Sequence, residues 1–387
     1  MKKIHLCFLF LVVVVPLYQS QKGLVPPGVQ EVATSGNNAT ASGGLFFCGW
    51  IQWQIAQEIF PDYAVNVMEG YDEDHRKELV AIELHKGQEN ARVPTENDIL
   101  VVGMFGPCSA PMEAFPGKVL FVNGENRRKD MTQKLNQGQS SNRAFQIGMV
   151  RDNPEGGKLK VYFMAMALLS LPPTMWRQHG RFLQHLTQPK PTNTQKYPGV
   201  IYMHGNCKPY RERAIRQISH ILPIYHSATK CNGTTLGQPT TTEDYNPNNF
   251  SPVQDPPTAT TTGMTFWMFN HNLFHDYQFC LCMENMHRPL YITEKILTGF
   301  LAGCIPIYYG TTEIFRIFNP KAFVYYDIDN AQPALDQLAY LIHNKTAYDE
   351  MLYQQPILLH GQETIDEYFA LWDGGALQRK LRDMMGL

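Results

Sequence analysis

The chain has 387 residues, 44% of them hydrophobic and 12% aromatic, enough apolar material for two ordinary cores and too much for one small one. Its 33 Lys and Arg stand against 35 Asp and Glu, a formal charge of −2, which argues against nucleic-acid binding through a broad basic surface. An anionic ligand must then be held by a few placed cations.

Residues 1–20 open with Lys2 and Lys3 and run into an apolar stretch whose heart is Leu6–Val15. Charge followed by about ten apolar residues is the order of a secretory signal, and it is short for a membrane span. The segment reads as a signal peptide or signal anchor, with cleavage left open. Residues 21–44 are rich in Gly, Pro, Ser, Thr and Asn and lack periodicity, the pattern of a flexible stem. Four N-x-S/T sequons, at Asn38, Asn232, Asn249 and Asn344, fit glycosylation of a lumenal chain. Of eight cysteines, Cys7 lies in the signal segment. The rest are odd in number, so in an oxidising compartment at least one stays free or pairs between chains; which ones pair is left open. Cys280 and Cys282 are spaced as same-face strand neighbours rather than as a redox pair, and with His275 nearby they read as core before zinc.

Order is expected from Leu45. Strands are read at Leu45–Trp50, Tyr63–Val67, Ile99–Met104, Val119–Val122, Phe145–Met149 and Leu159–Phe163, with helices at Gln52–Ile59 and Asp72–Leu84. This is one α/β lobe, residues 45–171. Pro172 and Pro173 open a linker, residues 172–196. A second α/β lobe, residues 197–370, starts with a strand at Gly199–Met203 and an amphipathic helix at Tyr210–Ile221. It carries a Thr-, Asn- and Pro-rich insert at 231–262, read as an irregular loop, and closes with helices at Ala334–Ile342 and Ala347–Leu352. The tail, residues 371–387, is expected to pack back across the lobes. The fold class is therefore α/β, two Rossmann-like lobes facing across a cleft, with ligands at the carboxyl ends of the strands.

Three stretches carry candidate chemistry. VLFVNGENRR at Val119–Arg128 sets Glu125 just past an apolar strand, where a carboxylate can take a proton from a hydroxyl. IYMHGNCKPYRER at Ile201–Arg213 is a strand, a turn and a helix bearing Arg211 and Arg213, which aims cations at a phosphate. YITEKILTGFLAGCIPIYYG at Tyr291–Gly310 is a helix, a tight turn and a buried strand. Thr293 suits the N-cap, Ile296, Leu297, Phe300 and Leu301 make the buried face, and Gly303 stops the helix. Lys295 in the first turn would add a full charge to the anion-attracting amides and dipole. Asp72-Glu73-Asp74 and Asp327-Ile328-Asp329 have a D-x-D form that suits a divalent cation, but Arg and Lys can neutralise a phosphate without one.

The run from FCLCMEN at Phe279–Asn285, through YITEK and AGCIPIYYG, to FNPKAFV at Phe318–Val324 resembles the donor-site core of the α1,3-fucosyltransferase family. The resemblance implies a GT-B arrangement, with an acceptor lobe at 45–171 and a GDP-fucose lobe at 197–370. It implies inverting transfer of L-fucose from GDP-β-L-fucose to a GlcNAc hydroxyl of an oligosaccharide or glycoprotein glycan, α1,3-linked. Glu125 would be the general base and Arg211 the diphosphate ligand, Arg213 being the alternative, though Gly205 stands where Ser is usual. Asn285 would face the donor, Tyr291 would lie by the guanine, Glu294 would hold the ribose and Lys295 the diphosphate. No cofactor is expected to be required, with at most a modest stimulation by Mn²⁺. Localisation would be the Golgi lumen as a type II membrane protein, or secreted if the N-terminal segment is cleaved. Two rival readings are a non-catalytic glycan-binding or scaffold protein on the same fold and an enzyme using another GDP-sugar.

Overall fold

The structure, a computed structural model, describes residues 42–48, 56, 58–65, 94–103, 112–124, 132–137, 142–148, 161–162, 186–187, 196–204, 208–228, 250–252, 271 and 274–387. The signal segment, most of the stem, the helix expected at Asp72–Leu84, Glu125 and the sequons at Asn38, Asn232 and Asn249 lie outside the described residues. Among the described residues, no helix is long and apolar enough to cross a membrane.

The two expected Rossmann-like lobes are present as two parallel sheets. The first has strands β1 (Gly43–Cys48), β2 (Tyr63–Val65), β3 (Ile99–Val102), β4 (Lys118–Asn123) and β5 (Ala144–Gly148), in the order β2-β1-β3-β4-β5, with a short helix α1 (Thr132–Asn136) before β5. Val161 and Tyr162, within the strand expected at Leu159–Phe163, are buried but are not in a strand. Apolar character there reflects packing into the core, and the tilted approach of Tyr162 to Tyr368 shows where that side chain goes.

The second sheet runs β11-β10-β9-β6-β7-β8. Its elements are β6 (Tyr197–His204), α2 (Pro209–Ser219), β7 (Ile224–Ala228), β8 (Phe250–Pro252), β9 (Tyr277–Met283), α3 (Glu294–Ala302), β10 (Ile305–Tyr309) and β11 (Val324–Tyr325). All of its strand pairs are parallel. The insert at 231–262, expected to be irregular throughout, supplies the edge strand β8. Three residues paired on one side are too short to show a periodic signal.

Alternation along the strands explains why such apolar segments form this sheet. In β9, Phe279, Leu281 and Met283 enter one hydrophobic cluster, while Cys280 and Cys282 enter another. The same division separates Ile305, Ile307 and Tyr309 from Tyr308 in β10. A parallel sheet covered on both faces needs such near-continuous apolar strands. The second of these clusters also takes Leu45, Val101, Leu120 and Ile147 of the first sheet, so one core is common to both sheets.

After β11 come α4 (Gln332–His343), α5 (Lys345–Asp349), α6 (Gln362–Tyr368) and α7 (Ala376–Met385). The helix expected at Ala347–Leu352 is split, α5 being followed by a wider π turn at Glu350–Gln354. The α7 helix returns to the first lobe. Gln378 donates to the carbonyls of Glu58 and Ile59 at 2.8 and 3.2 Å, and Arg382 grips both carboxylate oxygens of Asp62 at 2.7 and 2.9 Å.

A disulfide joins Cys280 in β9 to Cys304 just before β10. Gly299 makes the close approach of α3 possible: a Cβ there would lie 2.9 Å from the Cys280 sulfur. Among the described residues, Cys282 is a free, buried thiol.

Candidate functional site

In the second sheet the chain runs outward from β6 to β7 and β8, then returns to place β9 on the other side of β6. The crevice at the carboxyl ends of β6 and β9 is thus the topological switch point, where open α/β sheets bind ligands. Sequence segments 74 residues apart meet there.

From the β6 side comes Arg211, in the first turn of α2 after Pro209. Its side chain is buried, and one guanidinium nitrogen donates to the Met283 carbonyl at 3.1 Å and to Asn285 Oδ1 at 2.7 Å. Asn285 in turn donates through Nδ2 to the Tyr291 hydroxyl at 3.2 Å. Tyr291 is fully buried. Arg213, two residues on, faces elsewhere: it is half-exposed and pairs with the exposed Asp329 at 3.3 Å. Asp327 accepts the Asp329 backbone N–H at 3.0 Å, which makes the D-x-D segment a self-bonded turn after β11. Among the described residues no cluster of three His, Cys, Asp or Glu is arranged to hold a metal ion.

The chain between β9 and α3 is turned by Leu290, a buried residue with φ of 63°. That left-handed conformation is unfavourable for a branched side chain, and it is held by burial and by the Glu313 carboxylate, which accepts the Leu290 N–H. Helix α3 then starts as read, at Glu294, and Gly303 ends it at φ 70°.

Thr293 occupies the N-cap position, but its hydroxyl makes no cap bond. It donates instead to Glu284 Oε2 at 2.8 Å, while the Thr293 N–H donates to Glu284 Oε1 at 2.7 Å. A fully buried carboxylate outcompetes the helix's own amides for that hydroxyl, since charge-assisted bonds are the stronger ones. Lys295 donates to Thr293 Oγ1 at 2.9 Å and to Glu294 Oε1 at 3.1 Å, and lies 3.6 Å from Glu284 Oε2. Burial lowers the proton affinity of Lys295, but Glu294 and Glu284 beside it more than offset this and hold the ammonium above its ordinary range. A quarter of the Lys295 side chain remains exposed.

Arg211, Asn285, Tyr291, Glu294 and Lys295 are therefore gathered around one crevice. Asn344 lies apart from them, at the N-terminus of α5, where its Oδ1 caps the Ala347 N–H at 3.0 Å. The sequence suggests that Glu284 faces the same cleft as Asn285 and gives Tyr210 no role; in the structure the Glu284 carboxylate is instead fully buried against Thr293, and the Tyr210 hydroxyl donates to the Glu284 carbonyl at 2.9 Å. The available signal for Glu284 was an acidic residue closing an otherwise apolar strand, which only a buried partner can accommodate.

Residues 265–355 match the family model of glycosyltransferase family 10 (fucosyltransferase), C-terminal region. The motifs from Phe279 to Val324 fall inside the match. An alpha-(1,3)-fucosyltransferase of Helicobacter pylori is 42% identical over 90 residues, 23% of this chain and 19% of that one. Alpha-(1,3)-fucosyltransferase B of Drosophila melanogaster is 26% identical over 154 residues, 39% of this chain and 31% of that one. The matched stretches thus span less than a third of the length of these curated relatives. A crystal structure of an alpha1,3-fucosyltransferase superposes with a TM-score of 0.49 at 16% identity, over 91% of this chain and 92% of that one.

Proposed function

We propose that this chain is an inverting fucosyltransferase that moves L-fucose from GDP-β-L-fucose to a GlcNAc hydroxyl of an oligosaccharide or glycoprotein glycan, forming an α1,3 linkage. The observation that carries this reading is the pairing of two cations, Arg211 and Lys295, with Asn285 at the switch point of the second sheet, inside and beside the family-matched segment.

In this reading the donor diphosphate meets Arg211, Lys295 and the first-turn amides of α3, which have no intrahelical acceptors. As the acceptor oxygen bonds to C1 of fucose, the bond from C1 to the diphosphate oxygen breaks and GDP departs with the bonding pair. Cations fixed beforehand stabilise the charge that develops on the leaving phosphate. Glu125, outside the described residues, takes the acceptor proton. Asn285 orients Arg211, Tyr291 lies by the guanine and braces Asn285 through its hydroxyl, and Glu294 holds the ribose hydroxyls. Protein cations suffice for the leaving group, so transfer needs no metal and survives EDTA. Entry into the secretory pathway through residues 1–20, with residence in the Golgi lumen, belongs to the same reading.

The deciding experiment is transfer by the purified full chain from GDP-fucose and, separately, GDP-mannose to a panel of GlcNAc-containing oligosaccharides, with products located by mass spectrometry and linkage analysis. A fucosylated GlcNAc from GDP-fucose alone is the expected result. Transfer from GDP-mannose instead identifies an enzyme of another GDP-sugar, and glycan binding without transfer identifies a non-catalytic protein. Glu125→Gln should lower the rate about 10²- to 10⁴-fold and leave GDP binding unchanged.

A further inference from the structure

Three successive residues at the end of β9 do different work. The Met283 carbonyl and the Asn285 side chain both accept from Arg211. Between them, Glu284 turns to the opposite flank and reaches Thr293 and Lys295. Its main chain is pinned on both sides, because its N–H donates to the Tyr309 carbonyl at 2.9 Å and its carbonyl accepts from Tyr210. The aliphatic part of its side chain fills the space over Gly310, where a Cβ would lie 2.9 Å from Glu284 Cγ.

The hydrogen bonds run in one direction, from the Lys295 ammonium to the Thr293 oxygen and from the Thr293 hydroxyl to Glu284. Both Glu284 oxygens are taken up as acceptors, one from the Thr293 N–H and one from its hydroxyl, which leaves the Thr293 lone pairs facing the ammonium. We propose that Glu284 is a positioning residue for donor binding: it clamps Thr293 through N–H and hydroxyl together, and Thr293 fixes the Lys295 ammonium where the diphosphate arrives. The proposal rests on the donor-site reading given above. Lysine has a flexible four-carbon stem whose freedom is otherwise lost on binding, and fixing it in advance removes that cost from the association step. Glu284 itself does not touch the donor, since its carboxylate is fully buried behind Thr293.

Calorimetry on the full chain with GDP, and with guanosine as the phosphate-free probe, tests this through four proteins: parent, Lys295→Ala, Glu284→Gln and the double variant. Glu284→Gln should weaken GDP about tenfold while guanosine binding stays at the parent level. In the Lys295→Ala background the same change should have no further effect, because the residue acts through Lys295. An equal weakening in both backgrounds overturns the proposal, and so does a folded Glu284→Gln that binds GDP like the parent. Should thermal melting show Glu284→Gln unfolded, Thr293→Val and Thr293→Ser take its place. Val, lacking the hydroxyl, should weaken GDP, and Ser, which keeps it, should recover the affinity; a Val variant with parental affinity overturns the proposal. If Lys295→Ala alone binds GDP as tightly as the parent, the donor-site reading itself falls. If Lys295→Ala weakens GDP and Glu284→Gln does not, only the positioning role falls.

Discussion

Two arginines, two positions apart on one helix, show how burial separates a candidate phosphate ligand from a surface charge. In the sequence both Arg211 and Arg213 could serve a phosphate, and the family resemblance favours Arg211 with Arg213 as the alternative. In the fold Arg211 is 3% exposed and bonded to Met283 and Asn285, whereas Arg213 is half-exposed and pairs with an exposed aspartate. Arg211→Ala should therefore abolish measurable GDP binding in calorimetry and also lower stability by about 1–3 kcal/mol, because it leaves buried acceptors unpaired. Arg213→Ala should change stability by no more than about 0.5 kcal/mol, the usual scale for a surface substitution. Equal losses in the two variants would mean that the helix presents its other face to the donor.

Elements differ in how far they could be read from local sequence. Strand β10 coincides with the run Ile305–Tyr309, and α3 stops at Gly303, because periodicity and a left-handed glycine are local signals. The use of Thr293 was not legible, since the residue that captures its hydroxyl lies nine positions away and is brought in by strand order. Nor was β8, a three-residue edge piece in a Thr- and Pro-rich insert, nor the coil at Val161 and Tyr162, whose apolar side chains imitate a strand. Gly310, the residue after β10, has a packing reason to be glycine. A Cβ there would lie 2.2 Å from the Tyr308 hydroxyl as well as against Glu284. Gly310→Ala should cost about 1–3 kcal/mol by overpacking and, by displacing Glu284, weaken GDP binding; denaturant melts with calorimetry check both.

For the whole molecule, the return of α7 to the first lobe ties residues 320 positions apart. Direct hydrogen bonding from the Arg382 guanidinium holds the Asp62 carboxyl below the usual aspartate range, although partial burial opposes it. A carboxyl with a depressed folded pKa adds stability above its unfolded pKa, and that stability is lost as pH falls through the folded value. The stability gap between the parent and Arg382→Ala should thus be constant near neutrality and shrink on acidification below about pH 4. With both side chains partly exposed, the gap should stay under about 1 kcal/mol. Thermal melts of the two proteins across that range measure it; a gap that grows in acid would contradict the assignment.

The bond between Cys280 and Cys304 encloses Asn285, Tyr291, Glu294 and Lys295 in one covalent ring, 24 positions around. Closing a ring of that size restricts the unfolded chain by about 3 kcal/mol. Four of the five candidate donor contacts thus lie between two residues that the bond joins, so oxidation should favour the arrangement that the proposed donor site needs. Synthesis in a host whose cytosol keeps thiols reduced should yield chain deficient in GDP binding, and the same gene expressed with thiol oxidases and a disulfide isomerase should recover it. A site built on such a ring answers to the redox balance of the place where the chain is made, because the bond persists only where thiols are kept oxidised.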